Sequence, residues 1–307
     1  MSVIGSARKR FWDENGFLIF PGFFSPEEVE TVTQIHDQTW ESKPPGIVVD
    51  ELANNRRRRI TELESTSRPH AYKVNDLYLG EPRLRSIALS EKIGMILAEL
   101  LEDEPVLCNT LNFDKGSQGP DHLDTLYMTP PASVQGLCAT WMALEDAKDD
   151  SGPLRYFPGS NEIPIFRFSN GSMHQVDSEL PRWSDYMAGQ VERRGLEEQR
   201  FLASKGDLFI WHALLLHGGC PIDNPTRSRQ SLVTHFFTQS DCETGSWDLR
   251  PAPGGWWIKK PALQVPAEPI ARNGELSGQP AAPRSAGRVS RSKELRDRFD
   301  ALLGRSD

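Results

Sequence analysis

Short apolar runs separated by turn-forming residues dominate the middle of the chain. Glycine, proline, aspartate and asparagine stand between the runs. Runs of this length, repeated at this spacing, are typical of an all-β sandwich or barrel. The pattern predicts strands within VLCNTLNF (106–113), HLDTLYM (122–128), GLCATWMAL (136–144), LRYFP (154–158), DLFIWHALLLHGG (207–219) and RQSLVTHFF (229–237).

Helical patterns come before most of these strands. The run FLIF (17–20) predicts a short strand, and SPEEVETVTQIHDQTW (25–40) predicts a helix after it. Ser25 suits the N-cap, Pro26 suits the first helical position, and the two glutamates that follow favour the positive end of the helix. The segment 81–103 also has apolar residues at helical spacing. We expect these helices to cover a β core.

Polar segments set the expected limits of the folded domain. Arg56–Arg59 form a charge run that we expect in a loop, and residues 160–200 form a polar insertion without a clear strand. From residue 263 the chain is rich in proline, glycine, serine and arginine, which makes it a poor contributor to a core. The prediction is one domain over 1–262, followed by a tail over 263–307 that ends in a short helix.

Composition narrows the functional classes. The 307 residues carry a formal net charge of −8, which argues against a nucleic-acid partner because phosphate binding requires a basic face. The apolar runs are too short to span a membrane, and the N-terminus lacks the apolar segment of a signal peptide. Four cysteines without a C-x-x-C pair indicate free thiols and a cytoplasmic location. No feature indicates an oligomeric state.

The pair His122 and Asp124 is the first sign of chemistry. In a strand, residues two apart project from the same face, so an imidazole and a carboxylate would lie side by side. With 7 histidines and 43 acidic residues among 307, about one His-x-acid pair is expected by chance. A half-exposed strand with a polar face is therefore the plainer interpretation of the pair alone.

His217 strengthens the case for a metal. It ends an apolar run and two glycines follow it, so its ring could face a cavity. Two histidines and one carboxylate form the facial triad of non-haem Fe(II) oxygenases, which leaves coordination positions open. A histidine satisfied within the core is the alternative, and we assign that structural role to His212.

Arg229 opens the last of the predicted strands. A guanidinium buried near a metal requires an anion, and a bidentate carboxylate is its natural partner. A cosubstrate that chelates iron at one end and presents a carboxylate at the other, such as 2-oxoglutarate, would fit. A surface salt bridge on a strand is the alternative for Arg229. Arg227 lies in a tight turn and is expected in solvent.

The chain resembles the phytanoyl-CoA dioxygenase family of Fe(II)- and 2-oxoglutarate-dependent oxygenases. The motifs that carry the resemblance are FWDENGFLIFPGFFSPEEV, HLD, WMALEDAKDDSGPLRYFPGSN, GDLFIWHALLLHGG and RQSLVTHF. The resemblance implies a mainly β (α+β) fold, with a double-stranded β-helix (a cupin-like jelly roll) covered by N-terminal helices. It also implies that His122, Asp124 and His217 bind Fe(II) and that Arg229 binds the distal carboxylate of 2-oxoglutarate.

Further cosubstrate contacts are implied at Lys73, Leu111 and Trp141, with core packing as the alternative for Trp141. Gly219 stands where the family often has a serine that helps to hold the cosubstrate, so this contact is expected to differ here. Related halogenases have a small residue at the position of Asp124. Its carboxylate therefore argues against halogenation.

The implied reaction is oxidation of a C–H bond of a small organic molecule, with O2 as oxidant and release of succinate and CO2. Hydroxylation is expected, and desaturation, ring closure and epimerisation are the other outcomes. Two alternatives stay open: a non-catalytic β-sandwich binding module, and a jelly-roll hydrolase or isomerase with a metal-bound water.

The arginine run 56–59 has two interpretations. It is a solvated loop with Arg58 and Arg59 paired to Glu62 and Glu64, or it is a lid over the active-site mouth. As a lid, four arginines in an acidic protein would attract an anionic substrate.

Overall fold

The computed structural model describes residues 2–53, 56–64, 68, 72–128, 130 and 136–265. Within these residues the strands are β1 (Phe17–Phe20), β2 (Val48–Glu51), β3 (Arg56–Arg59), β4 (Tyr72–Asn75), β5 (Pro105–Phe113), β6 (Leu137–Ala143), β7 (Leu154–Tyr156), β8 (Gln199–Phe201), β9 (Leu208–His212), β10 (His217–Gly219), β11 (Ser231–Thr238), β12 (Leu249–Ala252) and β13 (Gly255–Ile258). The α-helices are α1 (Gly5–Asn15), α2 (Pro26–Ser42), α3 (Pro82–Ala88), α4 (Glu91–Leu101), α5 (Leu180–Arg194) and α6 (Gln239–Thr244).

The strands form two sheets of unequal size. The large sheet has ten strands, and its main path runs β1-β9-β6-β11-β5-β4-β2-β3, with the β12–β13 hairpin added beside β5. All pairings in this sheet are antiparallel except that between β13 and β5. The small sheet has the order β10-β7-β8.

An aromatic interior lies between the two sheets. Trp141 and Phe209 come from the large sheet, Tyr156 and Phe201 come from the small one, and all four belong to one buried cluster. Two sheets that bury a shared layer of side chains form a sandwich. The predicted jelly roll is confirmed, and the candidate residues are carried by its strands or lie next to them.

The N-terminal helices pack on the outer face of the large sheet, as predicted. Helix α2 begins with a capping box in which the Ser25 hydroxyl accepts from the amide of Glu28 while the Glu28 carboxylate accepts from the amide of Ser25. The segment 81–103 divides into α3 and α4, because the backbone of Ser90 is extended. The helical prediction there is correct in type, but one helix has become two.

Two sequence predictions about polar segments are wrong. Arg56–Arg59 form the strand β3, which pairs with β2 at the edge of the large sheet, rather than a loop. The insertion 160–200 contains α5 and also a strand, β8, which completes the small sheet. Both strands are short and lie at sheet edges, so neither has the continuous apolar pattern of a buried strand.

The last described residue is 265, so the predicted tail helix lies outside the described residues. The domain boundary at 262 and the cytoplasmic location stay predictions. The four cysteines are buried and free. No helix in the described part of the chain combines the length and the apolar character that a membrane span requires.

Candidate metal centre

His122 and Asp124 lie in a segment that touches the small sheet at one point. His122 forms an isolated antiparallel bridge with His217, the first residue of β10. The two main-chain hydrogen bonds of this bridge measure 2.8 and 3.1 Å. Asp124 then begins a single 3-10 turn. The strand predicted over 122–128 is therefore wrong, because the chain leaves the sheet directly after the bridge.

The bridge gathers His122, Asp124 and His217 into a group that could hold a metal ion, with one ligand atom from each within 4.8 Å of the others. Oδ1 of Asp124 lies 3.6 Å from Nε2 of His217 and 3.9 Å from Nε2 of His122. Two imidazole nitrogens and one carboxylate oxygen suit Fe(II) and leave coordination positions for other ligands. The donor set fits the metal that the sequence predicts.

Main-chain carbonyls fix the tautomers of the two histidines. Nδ1 of His122 lies 2.9 Å from the carbonyl oxygen of Pro120, and Nδ1 of His217 lies 2.9 Å from that of Leu215. A carbonyl oxygen can only accept, so each Nδ1 carries the hydrogen of the neutral ring. Each Nε2 therefore presents its lone pair to the group, as a metal ligand must.

Asp124 is buried and anionic. Its Oδ2 accepts a hydrogen bond of 2.8 Å from Nε1 of Trp211. Burial works to raise the pKa of Asp124, but His217 and then His235 outweigh burial and hold the pKa well below its usual value. The carboxylate is thus available to a metal throughout the neutral range.

His122 is in the protonation state that metal binding needs. Burial, and after it the neighbouring His217, lowers its pKa to about 4, although Asp124 works in the opposite direction. The ring is therefore neutral at pH 7 before any metal arrives, and binding there releases no proton from it.

His235 on β11 is a further imidazole at this centre, and the sequence reasoning missed it. Its Nε2 lies 3.7 Å from Oδ1 of Asp124, which is too long for a hydrogen bond. Its Nδ1 lies 3.1 Å from Oδ1 of Asn109, whose amide nitrogen donates to Asp76. The sequence does hold a signal for it. Positions 229, 231, 233 and 235 are two apart, so in an extended chain their side chains lie on the same face, and His235 shares the face of Arg229.

Arg229 is buried, with 4% of its surface exposed. Its Nη1 donates to the Ser231 hydroxyl over 2.7 Å, but its Nε has no hydrogen-bond partner among the described residues. The guanidinium carbon lies 5.3 Å from the ring centre of Trp141. Burial lowers the pKa of Arg229 to about 10, so the group is still a cation at pH 7. A buried cation that is incompletely paired favours an anionic ligand.

The alternative of a surface salt bridge does not apply to Arg229, because the side chain lies inside the sandwich. Arg227 is the surface residue. It pairs with Asp150 at 2.9 Å and is 46% exposed, as the turn in the sequence predicts.

The other expected cosubstrate contacts lie on neighbouring strands. Leu111 on β5 and Trp141 on β6 are both in register with Val233 on the intervening β11, so the three side chains share the inner face. Lys73 on β4 forms an ion pair of 3.1 Å with Asp50. The roles of Lys73, Leu111 and Trp141 toward a cosubstrate stay predictions.

Gly219 has a steric reason to be glycine. A Cβ atom at this position would lie 2.5 Å from the Ser117 hydroxyl and 2.7 Å from the amide nitrogen of Gln118. A serine side chain would not fit there unless the loop moved. The hydroxyl that the family often has on this strand is therefore replaced here by close packing of the 117–118 loop.

Two arginines of the run contact acidic side chains. Arg57 donates to both carboxylate oxygens of Asp50, over 2.7 and 3.1 Å. Arg58 lies 3.9 Å from the carboxylate of Glu62, which is one of the pairs that the solvated interpretation expects. Asp50 therefore joins the arginine strand to Lys73, because both cations contact the same carboxylate.

Comparison with known proteins decides the family. The family model of phytanoyl-CoA dioxygenase (PhyH) matches residues 12–231. The chain belongs to the phytanoyl-CoA dioxygenase family. Membership confirms the resemblance seen in the sequence and makes the protein an enzyme of the oxygenase class.

Curated members of the phytanoyl-CoA dioxygenase family are distant in sequence. The peroxisomal phytanoyl-CoA dioxygenase of Mus musculus is 24% identical over 264 residues, which cover 79% of this chain and 70% of the relative. Phytanoyl-CoA dioxygenase 1 of Oryza sativa subsp. japonica is 23% identical over 299 residues, which cover 86% and 96% of the two chains.

Solved structures share the fold of this phytanoyl-CoA dioxygenase family member. The non-heme α-ketoglutarate-dependent carbocyclase SnoK from nogalamycin biosynthesis matches with a TM-score of 0.58 at 17% identity, over 76% of this chain and 84% of that one. EctD from S. alaskensis with 2-oxoglutarate and 5-hydroxyectoine matches with a TM-score of 0.57 at 15% identity, over 88% of this chain and 86% of that one. The epimerase SnoN with Fe3+, α-ketoglutarate and nogalamycin RO matches with a TM-score of 0.54 at 17% identity, over 75% of this chain and 82% of that one.

Proposed function

We propose that the protein is an Fe(II)- and 2-oxoglutarate-dependent dioxygenase that hydroxylates a C–H bond of a small organic molecule and releases succinate and CO2. The observation that carries the proposal is the facial group of His122, Asp124 and His217 in the same sandwich as the incompletely paired guanidinium of Arg229. Two fold neighbours support the choice of cofactors: the SnoN structure contains Fe3+ and α-ketoglutarate, and the EctD structure contains 2-oxoglutarate.

Each side chain then has a defined task. Nε2 of His122, Nε2 of His217 and Oδ1 of Asp124 would hold the iron, and Trp211 fixes the orientation of the carboxylate through Oδ2. The iron supplies the oxidising chemistry, with O2 as oxidant and the oxidation of 2-oxoglutarate as the coupled reaction.

The cosubstrate would lie against the inner face of the large sheet. Arg229 would pair with the distal carboxylate of 2-oxoglutarate, because the planar guanidinium matches a carboxylate in a bidentate manner. Leu111 and Trp141 would form apolar walls beside it, and Lys73 a further cationic contact. The aromatic interior keeps bulk water away from this charged pair, which strengthens their attraction.

For the substrate we propose a small molecule that carries an anionic group. Support comes from the edge strand β3, on which Arg56 and Arg59 are exposed. Arg57 and Lys73 contribute less, because both contact the carboxylate of Asp50. Halogenation is not part of the proposal, because this chain has the carboxylate of Asp124 where related halogenases have a small residue.

Two measurements test the function. Anaerobic addition of Fe(II) and 2-oxoglutarate should produce a weak metal-to-ligand absorption band with one iron per chain. A screen of small organic acids should then find compounds that stimulate succinate release. Metal binding without any succinate would indicate the hydrolase or isomerase alternative, and absence of metal binding would indicate a non-catalytic binding module.

A further inference from the structure

The two histidines of the candidate metal centre come from segments that are joined by few main-chain hydrogen bonds. The segment that carries His122 joins the small sheet through one bridge, to His217, and through a bond of 3.0 Å from the amide of Gly219 to the carbonyl of Gly119. Besides these three main-chain hydrogen bonds, the amide of Ile222 donates to Oε1 of Gln118 over 3.1 Å, so side chains supply part of the connection between the two segments.

Arg155 on β7 adds side-chain contacts to both segments at once. Its Nε donates to Oδ1 of Asp121 over 2.6 Å, and its Nη1 donates to the carbonyl oxygen of Gly219 over 2.6 Å. A third bond of 3.3 Å runs from Nη2 to the carbonyl oxygen of Gly119. The planar guanidinium thus bridges residue 121, next to one histidine, and residue 219, two positions after the other.

Gly218 makes room for this bridge. It lies opposite Arg155 in the register of the small sheet. A Cβ atom at 218 would lie 2.7 Å from Oδ1 of Asp121, 3.0 Å from the carbonyl oxygen of Gly119 and 3.1 Å from Nη2 of Arg155. Any larger residue would therefore push apart the atoms that Arg155 holds together.

We propose that Arg155 is a positioning residue for the metal centre, which fixes the distance between His122 and His217 by joining Asp121 to Gly219. The inference rests on the proposed function, since it requires these histidines to bind a metal. Arg155 acts through its neighbours and does not itself touch the metal, so its effect should be on the strength and geometry of metal binding.

The experiment measures Co2+ binding by the full chain, through the dissociation constant and the visible d–d spectrum. Arg155→Gln and Asp121→Ala should each weaken Co2+ binding by about 10-fold, in the range found when groups behind metal ligands are changed, and should alter the spectrum. The double variant should lose little more than either single variant, because both changes break the same bridge. Gly218→Ala should weaken binding in the same direction.

The control is Arg250→Gln. Arg250 lies on β12 of the large sheet and pairs with Asp248 at 3.0 Å, so Co2+ binding should not change. The melting temperature of the metal-free protein separates a general loss of stability from an effect on the metal. If Arg155→Gln does not fold, Asp121→Ala and Gly218→Ala carry the test.

The Co2+ measurements distinguish failure of the proposed function from failure of the role proposed for Arg155. If the wild-type protein does not bind Co2+, the proposed function fails and the inference fails with it. If the wild type binds Co2+ and the variants bind equally well with unchanged spectra, the inference alone is overturned. Fully additive losses in the double variant would also overturn it, because the two side chains would then act separately.

Discussion

Trp211 and Asp124 are joined by a hydrogen bond in which the indole Nε1 donates to Oδ2 over 2.8 Å. Both side chains are buried, at 2% and 4% exposure. The other oxygen, Oδ1, faces His217 at 3.6 Å. The bond therefore divides the carboxylate into one oxygen held by the protein and one oxygen directed at the metal position.

Replacing Trp211 with Phe should keep the aromatic packing but remove the donor. We expect metal affinity to fall by about 10- to 100-fold, as is typical when a group that orients a ligand is lost. Titration with Co2+ measures the effect. Trp247→Phe is the control, because Trp247 is exposed. Equal affinities in the two variants would contradict the orienting role.

Substituting Ala for His122, Asp124 or His217 should abolish the anaerobic Fe(II)–2-oxoglutarate absorption band while circular dichroism shows a folded protein. His235→Gln should keep the band, because Nε2 of His235 is outside the group of mutually close ligand atoms. Loss of the band in His235→Gln with its retention in Asp124→Ala would mean that the ligand set is assigned incorrectly.

Arg229→Ala should reduce the affinity for 2-oxoglutarate by at least about 100-fold, since breaking one partner of a buried charged pair costs about 3–5 kcal/mol. Isothermal titration of the Fe(II)-loaded protein under anaerobic conditions measures this. The matched control is Arg227→Ala, which removes a surface ion pair with Asp150 and should change the affinity little. A large effect at 227 and none at 229 would overturn the assignment.

Asp114 should make stability depend on pH in the acid range. Burial works to raise its pKa, but the imidazole of His36, 3.0 Å from Oδ2, and then the hydrogen bonds from Arg68 outweigh burial and lower the pKa to about 2. A lowered pKa stabilises the fold above the unfolded-state value near 4 and loses this effect as the pH falls toward 2.

We therefore expect Asp114→Asn to lower the free energy of unfolding by about 2 kcal/mol at pH 6, and we expect the difference from wild type to shrink between pH 4 and pH 2. Urea unfolding at several pH values checks this. Asp185→Asn, on an exposed site, is the control. A difference that is constant over the whole range would show that the effect is steric rather than ionic.

An anionic substrate should show a KM that rises with ionic strength, because salt screens attraction over about 10 Å at 0.1 M. Arg59→Gln, on the exposed edge strand, should raise this KM without changing the KM for 2-oxoglutarate. Lys205→Gln, remote from that strand in the sequence, is the control. If the KM for the substrate changes neither with ionic strength nor in the Arg59→Gln variant, the arginine strand has a purely structural role.

The parts of the fold that the sequence predicts are those with strong burial patterns. β5, β6, β9 and β11 are central strands of the large sheet. They are mostly buried, and their apolar residues make them conspicuous in the sequence. β3 is an edge strand of four arginines, and its pairing depends on β2 and on Asp50, which no local pattern reveals.

The candidate site also contains residues that the sequence predicts and residues that it does not. Local motifs predict four residues of the site: His122, Asp124, His217 and Arg229. No local motif predicts the role of Trp211, because its hydrogen bond to Asp124 spans 87 positions and the residues around Trp211 form an ordinary apolar run.

The incompletely paired guanidinium of Arg229 also has a consequence for the lifetime of the protein. A ligand that neutralises this buried cation binds the folded chain and not the unfolded one, so it shifts the folding equilibrium toward the native state by mass action. Proteases act on the opened form, whose population falls as the native state is favoured. The amount of enzyme in a cell would then depend on the concentration of its cosubstrate. A shortage of 2-oxoglutarate would lower both the catalytic rate of each molecule and the number of folded molecules.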